Sequence, residues 1–334
     1  MISNDLPLID LHRHLEGNIR LETIIDLARK NNVALPADTV SELRPYVQIT
    51  EKQPGVMAFL EKFNIPMQVI CNTDAVRRIA SEAVLDAAAE GIDYLELRFS
   101  PLFIAENYQM NTQAVVEAVI EGVEEGKSGS SIMVNLLGII SRTYGPQKAW
   151  QELNAMLPMA DKLVGLDLAG DEANFPAELF EEHFDRAIAA GLNITVHAGE
   201  SAGAESIWQS IRILGAQRIG HGLAAIQDPK LMDFLFERQI GIEANLTSNV
   251  QTSSVADYAS HPMKQFLENG LLASINSDDP GISGIDLRYE YDVAAPLAGL
   301  NPQMIRQAQL NALEIAFLKP KEKKALLEKK QSEQ

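Results

Sequence analysis

The chain has 334 residues, 46% hydrophobic and 22% charged, which supplies a large apolar core and lacks the signature of disorder. A formal net charge of -18 sets a field of the wrong sign for nucleic acid or an anionic membrane, so neither is expected as a partner. The single cysteine, Cys71, excludes an internal disulfide and a thiolate-rich zinc site, and with no signal-type N-terminus and no bilayer-length apolar run it makes a cytoplasmic location the expectation.

The first expected strand, about 8–14, ends in His12-Arg13-His14. Strand side chains alternate faces, so Leu8, Asp10, His12 and His14 share one face while Ile9, Leu11, Arg13 and Leu15 share the other. Two imidazoles then point the same way, and neutral imidazole is a common ligand for Zn²⁺ and related metals. A chance pair in a loop would read identically, so the weight falls on what later strand ends add. The stretch 17–91 is too long for one crossover and holds at least three helical patterns, expected as a cap beside the site.

Glycine then punctuates a repeat. Helical patterns end at Ala88-Ala89-Glu90-Gly91, Ala189-Ala190-Gly191, Ile213-Leu214-Gly215 and Glu268-Asn269-Gly270, each just before an apolar run. Further strands are expected at about 94–99, 132–139, 163–168, 194–197, 217–220, 240–244 and 272–276. Several are near-continuous apolar runs, as strands covered on both faces should be. Eight strands with intervening helices read as an α/β chain folded as a (β/α)8 TIM-type barrel, one domain over 1–334. The charged stretch 319–334 is expected as a solvated terminal helix that frays.

In such barrels chemistry gathers at the C-terminal strand ends, where the unusual polar residues of this chain fall. Of the six histidines, His12, His14, His197 and His221 end apolar runs; His183 belongs to a polar helical stretch and His261 precedes Pro262 in a loop. His12, His14 and His197, with one carboxylate from Asp278-Asp279, make a four-residue shell for a metal. Nitrogen and oxygen ligands favour Zn²⁺, with Fe²⁺, Co²⁺ and Mn²⁺ compatible on ligand type. Asp before Pro280 is also an ordinary helix start. Because adjacent residues leaving a strand diverge, one aspartate is expected on the metal and its neighbour toward substrate.

Glu200, three residues beyond His197, suits a carboxyl that shuttles a proton beside activated water better than a helix-start acid. His221 is not needed as a ligand and is expected to polarise the attacking hydroxide or stabilise a developing oxyanion. Asp167 sits inside a strand, where a charge is costly without a partner; it is expected to hydrogen-bond a ligating imidazole, with His197 the candidate.

Taken in order, Leu11-His12-Arg13-His14-Leu15-Glu16-Gly17, Leu168-Ala169-Gly170-Asp171-Glu172, His197-Ala198-Gly199-Glu200, Ile219-Gly220-His221-Gly222 and Ser277-Asp278-Asp279-Pro280 closely resemble the adenosine deaminase family, its bacterial branch most of all. The resemblance runs over essentially the whole chain. It implies one Zn²⁺ per chain on His12, His14, His197 and Asp278, and catalysis by Glu200, His221 and Asp278. It further implies Glu200 protonating purine N1, His221 orienting the hydroxide, the Gly170 N–H at N3, Asp279 at N7, and His14 and Glu16 against the substrate, Glu16 at the ribose. The implied reaction is hydrolytic deamination of adenosine, and of 2′-deoxyadenosine, in purine salvage.

Cytidine-type zinc deaminases need His/Cys/Cys ligands and a Pro-Cys-x-x-Cys run, which one cysteine cannot supply. Adenosine-type relatives commonly carry Asp where this chain has Glu16, whereas adenine-deaminating relatives often carry Glu there. Those adenine-type relatives tend to have an acid at the position of Gly220, and the glycine kept here favours the nucleoside. The alternative is an adenine deaminase with the same site chemistry. A two-metal hydrolase on the same barrel would need a bridging lysine, and none stands at an expected strand end. The sequence leaves the oligomeric state open.

Overall fold

Short β-branched and leucine-rich runs pair in parallel because both of their faces can be covered. In the computed structural model, which describes residues 2–332, they form one eight-stranded sheet in sequential order. The strands are β1 (Ile9–His14), β2 (Tyr94–Phe99), β3 (Met133–Ser141), β4 (Leu163–Ala169), β5 (Asn193–Ala198), β6 (Arg218–His221), β7 (Gly241–Ala244) and β8 (Ala273–Ile275). With helices between successive strands this is the (β/α)8 barrel that the glycine punctuation predicts.

The barrel closes at its reactive end. Strands β8 and β1 meet through a bridge between Arg13 and Asp278, in which His14 N–H donates to Asp278 O and Asp278 N–H donates to His12 O, each at 2.8 Å. The seam that closes the sheet therefore lays Asp278 beside His12 and His14. Strict alternation along β1 does not hold, because its register against β2 shifts between Asp10 and Arg13. Asp10, expected with the histidines, instead accepts from Arg13 Nε at 3.0 Å and Ser277 Oγ at 2.5 Å.

Leu97, Leu166, Val196, Ile219 and Ile242 join the main core between sheet and helices. A second cluster, with Ile9, Leu11, Tyr94, Ile315 and Leu326, fills the opposite end of the barrel, where β1 and β2 begin. Leu326 belongs to the helix Pro320–Ser332, which is docked rather than frayed. One buried leucine holds it, with Lys330 Nζ 2.9 Å from Asp93 Oδ2 and Lys329 Nζ donating to Ser131 O at 3.1 Å. Residues 333–334 of that expected tail lie outside the described residues.

Between β1 and β2 run the helices Leu21–Asn31, Val40–Val47, Val56–Leu60, Asn64–Gln68 and Thr73–Ala89. Thr73–Ala89 is the crossover itself, packed on the helix Thr112–Lys127. The two short helices before it bring apolar side chains over the barrel mouth. No helix of the described residues is long and apolar enough to cross a membrane.

Candidate metal centre and catalytic pocket

Three strand ends converge on one point. His12 Nε2 lies 3.1 Å from His197 Nε2, and His14 Nε2 lies 3.3 Å from each of them. Asp278 Oδ1 completes the group at 3.2 Å from His12 Nε2 and 3.3 Å from His14 Nε2. Atoms at the corners of a tetrahedron with such edges surround a centre about 2.0 Å from each, the usual Zn–N and Zn–O distance. The donor chemistry agrees with the spacing. His12 Nδ1 is 2.7 Å from Glu243 Oε2 and His197 Nδ1 is 3.0 Å from Asp167 Oδ2, so each ring's proton faces outward to a carboxylate. That turns the Nε2 lone pairs of these two rings toward the Asp278 carboxylate and His14 Nε2, an arrangement a cation relieves. These residues fit zinc.

Electrostatics keep two of the three rings in ligand form, while against the cost of burial Asp278 and Glu243 raise the third, His12. Burial brings the His14 ring down to about 4 and lowers His197 as well, so both are neutral at pH 7. Against the cost of burial, the His12 and His14 rings hold the Asp278 carboxyl well below the usual range. His221, buried at the end of β6, brings its donor atom within 4.8 Å of those of His12, His197 and Asp278. Its Nε2 is 3.9 Å from Asp278 Oδ2, and burial lowers it well below the ordinary histidine value. His221 and Asp278 both hold left-handed backbone, with φ of 64° and 61°. A side chain at such φ is strained and persists where the surroundings demand it. At Asp278 the turn lets consecutive carboxylates separate, Asp278 to the histidines and Asp279 to the cavity wall.

A cavity of about 330 Å³ opens beside this cluster, in the size range of small-molecule sites, about 300 to 1,000 Å³. Phe59, Leu60, Phe63 and Phe103 line one side, and His14, Glu200 and Asp279 line the other. Glu200 is buried, and that burial, reinforced by the charges of Asp278 and Glu172, pushes its carboxyl well above the ordinary value. The shift favours its protonated form. Burial and the neighbouring Asp278 raise Asp279 in the same way, and its Oδ1 has no partner. Glu16 Oε1 accepts from Ser100 N–H at 2.6 Å while Oε2 is unpartnered, and burial pushes this carboxyl up to about 8. Gly170 lines the cavity with φ of +106°, where a Cβ would also sit 2.5 Å from Thr143 Oγ1. At Gly220 a Cβ would press on the His12 ring at 3.0 Å, so a larger residue there would act on a member of the cluster.

Asp167 lies at 3.1 Å through Oδ1 and 3.0 Å through Oδ2 from His197 Nδ1. Its other partner was not read from the sequence. Arg98 of β2 donates to Asp167 Oδ2 and Glu243 Oε2, both at 2.8 Å, so one guanidinium spans the carboxylates behind the His12 and His197 rings. The signal was available, since Arg98 and Glu243 are charges inside apolar strands just as Asp167 is. Glu172 was also missed. Its carboxylate accepts from the backbone N–H groups of Gly199, Glu200, Ser201 and Ala202 at 2.5 to 3.1 Å and holds the loop that carries Glu200. His183 Nε2–H donates to Pro146 O at 2.8 Å beneath Trp150, away from the cluster. His261, expected only as a loop residue, is buried and 3.1 Å from Asn249 Oδ1, because its loop folds back against the helix after β7.

Comparison with known proteins gives the same family from several directions. A family model described as adenosine deaminase matches residues 7–332. The adenosine deaminase of Klebsiella pneumoniae (strain 342) is 55% identical over 329 residues, covering 98% of this chain and 99% of that protein. Among solved structures, the adenine deaminase of Arthrobacter aurescens superposes with a TM-score of 0.90 at 25% identity, covering 98% of each chain. Arabidopsis ADAL complexed with GMP superposes with a TM-score of 0.85 at 26% identity, covering 99% of this chain and 98% of that one.

Proposed function

The chain belongs to the adenosine deaminase family, and from that premise we propose that it removes the 6-amino group of adenosine and 2′-deoxyadenosine by hydrolysis, with zinc as its one metal. His12, His14, His197 and Asp278 would hold the ion. When bound, zinc supplies Lewis-acid activation of water at neutral pH. The chain's own residues do the rest. Glu200, protonated, donates to purine N1 and so draws electron density from C6, where the oxygen of water forms its bond. His221 orients that oxygen by a hydrogen bond. Asp279, whose protonated form burial favours, donates to N7, the Gly170 N–H faces N3, His14 flanks the ring and Glu16 meets the ribose. One proton of the water restores the Glu200 carboxyl and the other passes to the amino nitrogen as the C6–N bond breaks, so ammonia leaves and the 6-oxopurine remains.

The observation that carries this reading is a set of nitrogen and oxygen donors at tetrahedral spacing that shares one cavity with Glu200, whose protonated form burial favours. Nucleoside is favoured over nucleotide because Glu16, Glu61, Glu200, Asp278 and Asp279 line the cavity, with no lysine or arginine among its described lining residues. A phosphate dianion would find no cationic partner among them. Adenosine is favoured over adenine by Gly220 and by the 55% identity to adenosine deaminases, against 25% to the adenine deaminase. The same reading takes 1–334 as one domain with 17–91 as cap, and the lone Cys71 as the sign of a cytoplasmic enzyme.

Parallel assays on adenosine, adenine and AMP, followed by the change in purine absorbance, test it. The expected kcat/KM for adenosine exceeds that for adenine by well over 10²-fold, because the sugar supplies binding energy that the transition state uses. Faster turnover of adenine or of AMP would overturn the assignment.

A further inference from the structure

Asn249 lies on the helix Leu246–Gln251 after β7, fully buried, with its amide wedged among three side chains that bear on the site. Its Nδ2 is 2.9 Å from His221 Nδ1 and 3.4 Å from Glu200 Oε1, and its Oδ1 is 3.1 Å from His261 Nε2. On the far side, Met263 N–H donates to His261 Nδ1 at 3.0 Å. A backbone N–H only donates, so His261 Nδ1 accepts and the proton of the neutral ring sits on Nε2, which donates to Asn249 Oδ1. This settles which end of the amide is oxygen and turns both Nδ2 hydrogens toward His221 and Glu200.

We propose that Asn249, held by His261, is the positioning residue that places both protons the reaction uses, fixing His221 as its Nε2–H tautomer and directing the Glu200 proton to Oε2. The inference rests on the roles given above to His221 and Glu200. His221 Nδ1, as acceptor from Asn249, leaves the ring proton on Nε2, the nitrogen that faces Asp278. Glu200 Oε1, as acceptor from the same amide, leaves its acid proton on the other oxygen. His221 Nδ1 and Glu200 Oε1 stand 3.5 Å apart as two acceptors, and the amide gives one hydrogen to each. Asn245 Nδ2 lies 3.4 Å from both ring nitrogens of His221 and does not choose between them. Burial holds His261 down to about 3, so its ring stays neutral and its donor direction is constant across the working pH range.

The test uses the zinc-loaded enzyme labelled with ¹⁵N-histidine, in which two-bond couplings read each ring's tautomer without substrate. Wild type is expected to show His221 and His261 both protonated at Nε2. Asn249→Asp replaces a donor by an acceptor, so His221 must present Nδ1–H. The kcat is then expected to fall by about 10² to 10⁴, the scale of a mis-set tautomer in a hydrolytic triad. KM should stay within about threefold and metal content should be unchanged. His261→Gln keeps a donor for Asn249 Oδ1 and should hold kcat within about threefold, whereas His261→Ala should lower it by about tenfold. A wild-type His221 protonated at Nδ1 overturns the proposal, as does unchanged kcat in Asn249→Asp or equal losses in the two His261 variants. If Asn249→Asp does not fold, the wild-type spectrum and the His261 pair still decide. A protein inert toward adenosine but with His221 as Nε2–H would sink the functional reading and leave this one standing.

Discussion

Three imidazoles and a carboxylate can share one corner of a protein only if every ring proton has somewhere else to go. Glu243 and Asp167 provide that for His12 and His197, and Arg98 offsets the charge of both carboxylates. Glu200, in contrast, lines the cavity with Asp278, and burial together with that charge shifts its carboxyl toward the protonated form. Glu200→Gln should therefore preserve shape and metal while lowering kcat by about 10² to 10⁴ through loss of the general acid. Steady-state kinetics with elemental analysis on the same sample checks both halves, and near wild-type kcat would mean that another group donates. Glu16 offers an unpartnered Oε2 to the cavity. Glu16→Ala is expected to cost adenosine turnover about 1 to 3 kcal/mol in kcat/KM while leaving adenine, which has no ribose, nearly indifferent. Equal losses on the two substrates would remove the sugar contact.

At the scale of elements, the helix Leu246–Gln251 matters because it carries Asn249, and Glu290 holds its first turn. Thr247 N–H donates to Glu290 at 3.1 Å to Oε1 and 3.4 Å to Oε2. Burial pushes the Glu290 carboxyl up from 4.5 to about 8. The unfolded chain loses that proton above about 4.5 and the folded chain only above about 8, so folding takes up a proton between those values. Stability accordingly falls as pH rises through that window, by about 1.4 kcal/mol per pH unit for this group. Glu290→Gln keeps the acceptor and removes the titration. Its stability should match wild type near pH 4 and exceed it increasingly up to pH 8, by a few kcal/mol in urea unfolding. A difference that does not change with pH would show that Glu290 does not titrate in this range.

For the whole molecule, the histidine–aspartate cluster and the closure of the barrel are one structure. Asp278 reaches His12 and His14 through the bridge that joins β8 to β1, while His197 arrives from β5 on the far side of the sheet. Removing the metal with a chelator should leave the barrel folded, since the core clusters do not depend on it. It should nonetheless lower Tm, because a ligand bound to the folded state alone stabilises by about 2.7 kcal/mol at a hundredfold excess over Kd. Scanning calorimetry of apo and zinc-restored protein reads this, and activity should return with one equivalent of metal. An apo protein with unchanged Tm and full activity would remove the metal from the account.

The strand order, the barrel and the residues at strand ends were legible in the chain itself. Hydrophobic runs, glycine stops and a two-residue period are local properties, and each is written over a few adjacent positions. For the same reason Glu200 and Asp167 could be singled out, one by its offset from His197 and the other as a charge in a buried strand. What only the folded chain decided is which distant groups meet. Arg98 and Glu243 meet His12 and Asp167 across four different strands, Glu172 gathers the amides of 199–202 from the neighbouring loop, and His261 reaches Asn249 through a loop that periodicity does not describe. The docking of Pro320–Ser332 is of the same kind: its charge pattern specifies a helix, but the pocket for Leu326 and the carboxylate for Lys330 lie on other segments. Side-chain partnerships across a closed sheet depend on register, tilt and the shift within β1, and these are set by the packing of the entire barrel rather than by any one stretch of it.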